Sequence, residues 1–281
     1  MRWRDIGNGM QFDQLDRRVV LRALCCTAAC TIGGLHARAG GTVQEKVGRL
    51  GQIRGCFVDE NNSNLLLGAN MVTASNAHLP AEVETMMRST GNGDLDRSFD
   101  RALQRLAETF DVWPKVGFYD DTGSPNAMAM RYSIGGATEY AVVFGRAYFK
   151  KLMDYDPSGI TLLHTAAHEF AHVWVYRDGL FNKIRGSDPT VKRVELHADF
   201  MAGYYLGLRK RDNPQASFWA AGIGRWQSGD EEFRNVHHHG TPDERLAAAE
   251  KGFLLGYLEN RPSTEAFKAA TRYVAALKHT W

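Results

Sequence analysis

The run His164-Thr165-Ala166-Ala167-His168-Glu169-Phe170-Ala171-His172-Val173-Trp174-Val175 decides how the rest of this chain is read. Residues four apart on a helix share a face, so His168 and His172 can turn both imidazoles to one ion, with Glu169 beside them near a bound water. Phe170, Ala171, Val173 and Trp174 mark the helix as buried, where two histidines without a partner would be costly. With 10 His and 14 Glu in 281 residues, this spacing arises by chance in roughly one such chain in sixty. The surrounding sequence therefore has to choose between a metal site and coincidence.

A tetrahedral zinc in a hydrolase takes a third protein ligand and leaves the fourth position to water. Downstream lies Glu195-Leu196-His197-Ala198-Asp199, with 22 residues between His172 and Glu195. That interval lets one helix end near Gly179, a loop turn, and a second helix pack back. Small residues at Ala198, Ala202 and Gly203 allow close approach, which would bring Glu195 to the ion. Asp199, one turn further on, is placed to accept the second ring N–H of a ligand histidine. His197 points off this face, to a structural or exposed position. A metzincin needs Gly and His where this chain has Val175 and Asp178, which excludes that pattern. An aspzincin would use Asp243 of Gly240-Thr241-Pro242-Asp243, but the Tyr-Gly that should follow is absent. His164, one turn before His168 on the same face, is open to supporting a ligand from behind, to a gating role or to none.

Working outward, apolar residues recur at helical spacing from Pro80 to Arg88 and from Leu95 to Phe110, with Phe99, Leu103, Leu106 and Phe110 on one face. These predict an N-terminal helical subdomain or lid over 40–120. Lys115 to Tyr119, Ala127 to Tyr132 and Tyr140 to Phe144 read as short strands of a small sheet. Asp156-Pro157, Asp188-Pro189, Asn213-Pro214 and Thr241-Pro242 each place a capping residue before a first-turn proline, predicting four helix starts in the 121–281 core. Residues 40–75 give no period. The expected class is α+β, mainly helical and zincin-like.

Net charge is +2. The first 39 residues hold six Arg and three Asp, a net of +3, which leaves 28 basic and 29 acidic residues, a net of −1, in the body. Such a body lacks the electrostatic footprint of a nucleic-acid binder. The leader runs through Asp16-Arg17-Arg18-Val19-Val20-Leu21-Arg22, a weakly apolar stretch from Ala23 to Leu35, and Ala37-Arg38-Ala39. It reads as a twin-arginine export signal over 1–39, sending the chain to the periplasm or outside the cell. Lipidation at Cys30 is disfavoured by Thr27. After Gly40 no apolar run of 18 residues occurs, so the mature chain, 40–281, is expected to have no membrane span. Cys56 is then its lone cysteine and reads as a small buried hydrophobe.

Four segments together resemble the exported neutral zinc metallopeptidases, which are gluzincins, and more distantly the CAAX prenyl endopeptidases and their heat-shock membrane relatives. They are Asn126-Ala127-Met128-Ala129, the HExxH helix, Glu195 to Asp199 with Ala202-Gly203, and His239-Gly240-Thr241 leading to Arg245. The resemblance implies one zinc ion on His168, His172 and Glu195, and Glu169 as general base. It also implies a sheet edge at Asn126 and Ala127 that pairs with an extended substrate, and His239 and Arg245 supporting the tetrahedral intermediate. Met128 stands where the family has an aromatic, and which of His237, His238 and His239 reaches the site stays open. The expected function is an extracytoplasmic zinc endopeptidase acting on proteins or peptides. The alternative is a zinc-stabilised binding or assembly factor, and zinc sequestration by His237-His238-His239 is a third reading.

Overall fold

The computed structural model describes residues 57–58, 89–121, 126–134, 137–218 and 229–277. The leader, Cys56 and the helix expected over 80–88 lie outside the described residues. Within them the fold is mixed α+β. In chain order the elements are β1 (Phe57–Val58), α1 (Gly93–Phe110), β2 (Lys115–Tyr119), β3 (Ala127–Ile134), β4 (Ala137–Gly145), α2 (Arg146–Tyr155), α3 (Ile160–Arg177), α4 (Phe181–Arg185), α5 (Lys192–Asp212), α6 (Pro242–Leu254) and α7 (Ser263–Ala275), with a π-helical turn at Leu255–Glu259 between the last two.

Four strands form one sheet in the order β1-β3-β4-β2. β3 and β4 pair antiparallel from Ala127–Phe144 to Ile134–Ala137, while β1 lies parallel to β3 and β2 parallel to β4. Strand alternation sorts the side chains. Ala127, Ala129, Val142 and Phe144 join the main core, and Met128, Met130, Tyr132, Ala141 and Val143 form a second buried cluster. On the core side α3 packs against β3 and β4.

Asn92 caps α1 by accepting from the N–H groups of Asp94 and Leu95. Its apolar face then enters the core as the spacing predicts: Leu106 and Phe110 are fully buried, contributing about 1.5–3 kcal/mol each. Phe99 meets Phe144 and Phe149 edge-on, and Phe110 meets Trp174 of α3 and Tyr205 of α5. α1 and β2 share one core with α3 and α5.

α5 and α6 cross at backbone contact. A Cβ on Gly203 would stand 1.9 Å from the Ala249 carbonyl oxygen, and one on Gly252 would stand 1.8 Å from that of Phe200. Only glycine permits this approach, and it sets the register between Asp199 on one helix and Arg245 on the other.

Of the four capping dipeptides only Thr241-Pro242 opens a helix where expected, with a full capping box between Thr241 and Glu244. The other three are corrected. Asp156 takes the N–H groups of Ser158 and Thr161, Gly159 turns left-handed at φ 74, and α3 starts at Ile160. Asp188 closes a turn on Thr190, so α5 starts at Lys192. Asn213 ends α5, and the ammonium of Lys210 takes the carbonyls of Pro214 and Ala216, so residues 213–218 form no helix.

Candidate metal centre

α5 is buried on every side from Val194 to Gly207, and α3 nearly so from Thr161 to Tyr176, with Leu163 half-buried. An element hydrophobic all round belongs in a core, and polar side chains on it have no water to meet. His168, His172 and Glu195 are all fully buried. They converge: the two Nε2 atoms lie 3.1 Å apart, His168 Nε2 lies 3.3 Å from Glu195 Oε2, and His172 Nε2 lies 3.3 Å from Glu195 Oε1. Their ligand atoms form a group that could hold a metal ion. Metal–ligand bonds of about 2.0–2.1 Å at tetrahedral angles put neighbouring ligand atoms about 3.3–3.4 Å apart. The two imidazole nitrogens, 3.1 Å apart, are near that spacing, and each lies 3.3 Å from a different oxygen of Glu195, so the carboxylate spans the pair. Two imidazole nitrogens and a carboxylate, buried together, are also what a divalent cation satisfies and what is costly without one.

Behind the ligands runs a chain of charge. His168 Nδ1 lies 2.8 Å from Asp199 Oδ1, which sets the tautomer that leaves Nε2 as the ligand atom. Arg245 from α6 closes on the same carboxylate, Nε to Oδ2 at 2.7 Å and Nη2 to Oδ1 at 3.0 Å, and its Nη2 lies 3.7 Å from Glu195 Oε2. Burial opposes ionising Asp199, yet Arg245 and His168 outweigh it and hold the carboxyl far below the usual range. Glu195 is also held well below its ordinary value, with burial overcome by His172 and His168. Burial works against protonating His168, but Asp199 and Glu195 raise it. In His172 burial prevails and lowers it.

The loop from 229 to 241 lies along the first turns of α5. Val191 N–H donates to the Val236 carbonyl at 3.1 Å, and the position of a Cβ on Gly240 falls 3.0 Å from the Leu196 side chain. Between those two anchors sit the three histidines. His238 is buried and faces Phe233, His239 is partly buried, and His237 donates its N–H to Asn235.

Most residues expected from the sequence meet here. Glu169 is buried next to His168 on α3, and His164 is buried one turn earlier. Asp243 is exposed, and the residue that joins His168 and His172 in the group that could hold a metal ion is Glu195. His197 is buried against Phe267 and Thr271, the structural reading. One expectation changes. Arg245 is turned onto Asp199, which makes it a bracing partner of that carboxylate in place of an oxyanion donor. Among the described residues Asn126 and Ala127 are flanked on the β4 side, and β1 lies against β3 only at Ala129 and Met130. The Asn126 carbonyl accepts from Gly145 N–H at 2.8 Å, and the Ala127 side chain is buried.

Sequence reasoning missed Tyr176, whose ring stacks on His172 at 14° one turn along α3, a contact its spacing could have suggested. It also missed Asp230, which no spacing rule points to. The chain matches no family model, no curated protein and no solved structure.

Proposed function

We propose that this chain is a zinc-dependent endopeptidase with a zincin-like fold. The observation that carries the reading is the buried cluster of His168, His172 and Glu195, in which the two Nε2 atoms lie 3.1 Å apart and each lies 3.3 Å from one oxygen of the carboxylate, with HExxH's Glu169 beside it. When bound, zinc lowers the pKa of its water to about 7 and polarises a carbonyl. Asp199 orients His168 and Arg245 holds Asp199, so the ligand set is fixed before the ion arrives. Glu169 accepts the proton of the attacking water and delivers it to the leaving amine as the peptide bond breaks. His239 lies in the 229–241 loop, which is anchored on Val191 and Leu196 to either side of Glu195, and on this reading it supports the oxyanion through its distal nitrogen. The Arg17-Arg18 leader supports action outside the cytoplasm, on proteins or peptides. Among the described residues no helix is long and apolar enough to cross a membrane.

A second reading is favoured by one observation. Full burial of all three ligands is the condition of a closed structural site, whereas a catalytic site keeps one position open. On that reading the chain is a zinc-stabilised binding or assembly factor. Metal analysis of the folded chain, paired with cleavage of a peptide library, separates the two. Stoichiometric zinc with cleavage that Glu169→Gln abolishes supports the peptidase, and stoichiometric zinc without cleavage supports the factor. Iron at full occupancy would contradict both, because a two-histidine, one-carboxylate set also serves non-haem iron.

A further inference from the structure

The 229–241 loop has no regular structure of its own, yet one side chain organises it. Each oxygen of the Asp230 carboxylate accepts from one backbone N–H and faces one imidazole. Oδ1 takes the N–H of Glu232 at 2.9 Å and meets His238 Nδ1 in a short contact. Oδ2 takes the N–H of His239 at 3.0 Å and meets His239 Nδ1 at 3.3 Å. The Asp230 N–H closes the loop on the Gly240 carbonyl at 3.0 Å. His238 is buried against Phe233, so its grip on Oδ1 keeps the carboxylate from rotating. The result is a carboxylate with one free task, which is to hold His239.

Placement gives that task a direction. His239 stands between Val236, bonded to Val191, and Gly240, packed on Leu196. Val191 and Leu196 bracket the turn of α5 that carries Glu195. An imidazole whose Nδ1–H is held by a carboxylate has its ring plane and tautomer set. Its Nε2 is then left to the reacting groups, as acceptor from the neutral ring and as donor from the protonated one.

We propose that Asp230 is a positioning residue of this site: by binding Nδ1 of His239, and being locked itself by His238, it aims Nε2 of His239 at the reacting groups beside Glu195. This rests on the peptidase reading for its consequence but not for its geometry, and the test keeps the two apart. The full-length chain, loaded with zinc and labelled with nitrogen-15 at histidine, is compared as wild type, Asp230→Ala, Asp230→Asn, His238→Phe, His239→Phe and the double variant Asp230→Ala/His239→Phe. Long-range nitrogen–proton NMR should show His239 protonated at Nδ1 in the wild type and a mixed or Nε2-protonated ring in Asp230→Ala, with zinc content unchanged. On any cleaved peptide, Asp230→Ala should lower kcat by about 10- to 100-fold with KM little altered, and by nothing further in the His239→Phe background.

An equal loss in that background would overturn the proposal, since Asp230 would then act by some other route. So would an unchanged His239 tautomer in both Asp230 variants. Should His238→Phe reproduce the whole loss with His239 still Nδ1-protonated, the route runs through His238 and the proposal fails. If Asp230→Ala does not fold, Asp230→Asn keeps the volume and an acceptor for one of the two backbone N–H groups and is read in its place. Where the wild type cleaves nothing, the peptidase reading falls, and the tautomer comparison alone decides whether Asp230 positions His239.

Discussion

Replacing Asp199 by Ala removes a carboxylate that has two separate duties, and the two losses are read by different assays. Toward α3 it holds His168 Nδ1 at 2.8 Å; toward α6 it takes the Arg245 guanidinium at 2.7 and 3.0 Å. Loss of a hydrogen-bond partner behind a ligand histidine weakens metal binding by about 10- to 100-fold, or about 1.4–2.8 kcal/mol. Breaking a buried ion pair from one side leaves a desolvated charge and costs about 3–5 kcal/mol of folding stability. Glu195 Oε2, 3.7 Å from Arg245, remains as a second anion, so the lower end, about 3 kcal/mol, is expected. Zinc affinity by chelator competition reads the first loss, and urea denaturation of the metal-free chain reads the second. Adding Arg245→Met to Asp199→Ala should restore most of the stability, because neither charge is then left buried alone, but none of the affinity. An Asp199→Ala chain that binds zinc as tightly as the wild type would refute the reasoning, as would a double variant whose affinity recovers.

Glu169→Gln should keep zinc bound and lose hydrolysis by at least about 100-fold, because that residue is assigned to the proton and not to the ion; metal loss in atomic absorption would contradict the assignment. Gly203→Ala would drive a methyl to 1.9 Å from the Ala249 backbone, so the metal-free chain should lose at least about 3 kcal/mol in urea titrations; a shift below 1 kcal/mol would mean the helices can separate freely. Asp156→Ala removes the acceptor of Ser158 and Thr161 at the start of α3 and should cost about 1–2 kcal/mol at pH 7. Burial opposes its ionisation, but those hydrogen bonds lower the Asp156 pKa below 3.8, so its contribution is present above that pH and fades as pH falls further. Wild type and variant should therefore converge in stability toward strongly acid pH, and a gap that stays constant there would count against this role.

The ligand helix was legible because four-residue spacing is a property of any helix, whatever surrounds it, and His168, Glu169 and His172 needed nothing else. Glu195 and Asp199 were legible for the same reason, helped by Ala202 and Gly203, whose size announces a close crossing. Where the outcome depended on which of several partners a side chain chooses, the sequence was a poorer guide. Asp156, Asp188, Asn213 and Thr241 all precede proline, yet only Thr241 caps a helix at that point. The first two close turns on Thr161 and Thr190, and the third sits beside carbonyls taken by Lys210. Arg245 chose Asp199, 46 residues away, a contact that becomes visible only once Gly203 and Gly252 bring α5 and α6 together. The strand that lies against Ala129 and Met130 comes from Phe57–Val58, in a stretch without periodicity. Asp230 has no motif, since its function is to tie irregular backbone.

The central claim is that His168, His172 and Glu195 hold one zinc ion. It is tested most directly by anomalous diffraction at the zinc edge from crystals of the zinc-loaded chain. The account predicts a single strong peak per chain, about 2.0–2.1 Å from Nε2 of both histidines and about 2.0–2.2 Å from a Glu195 oxygen. A chain that takes up no zinc at this triangle, or whose peak lies instead on His237-His238-His239, would contradict it.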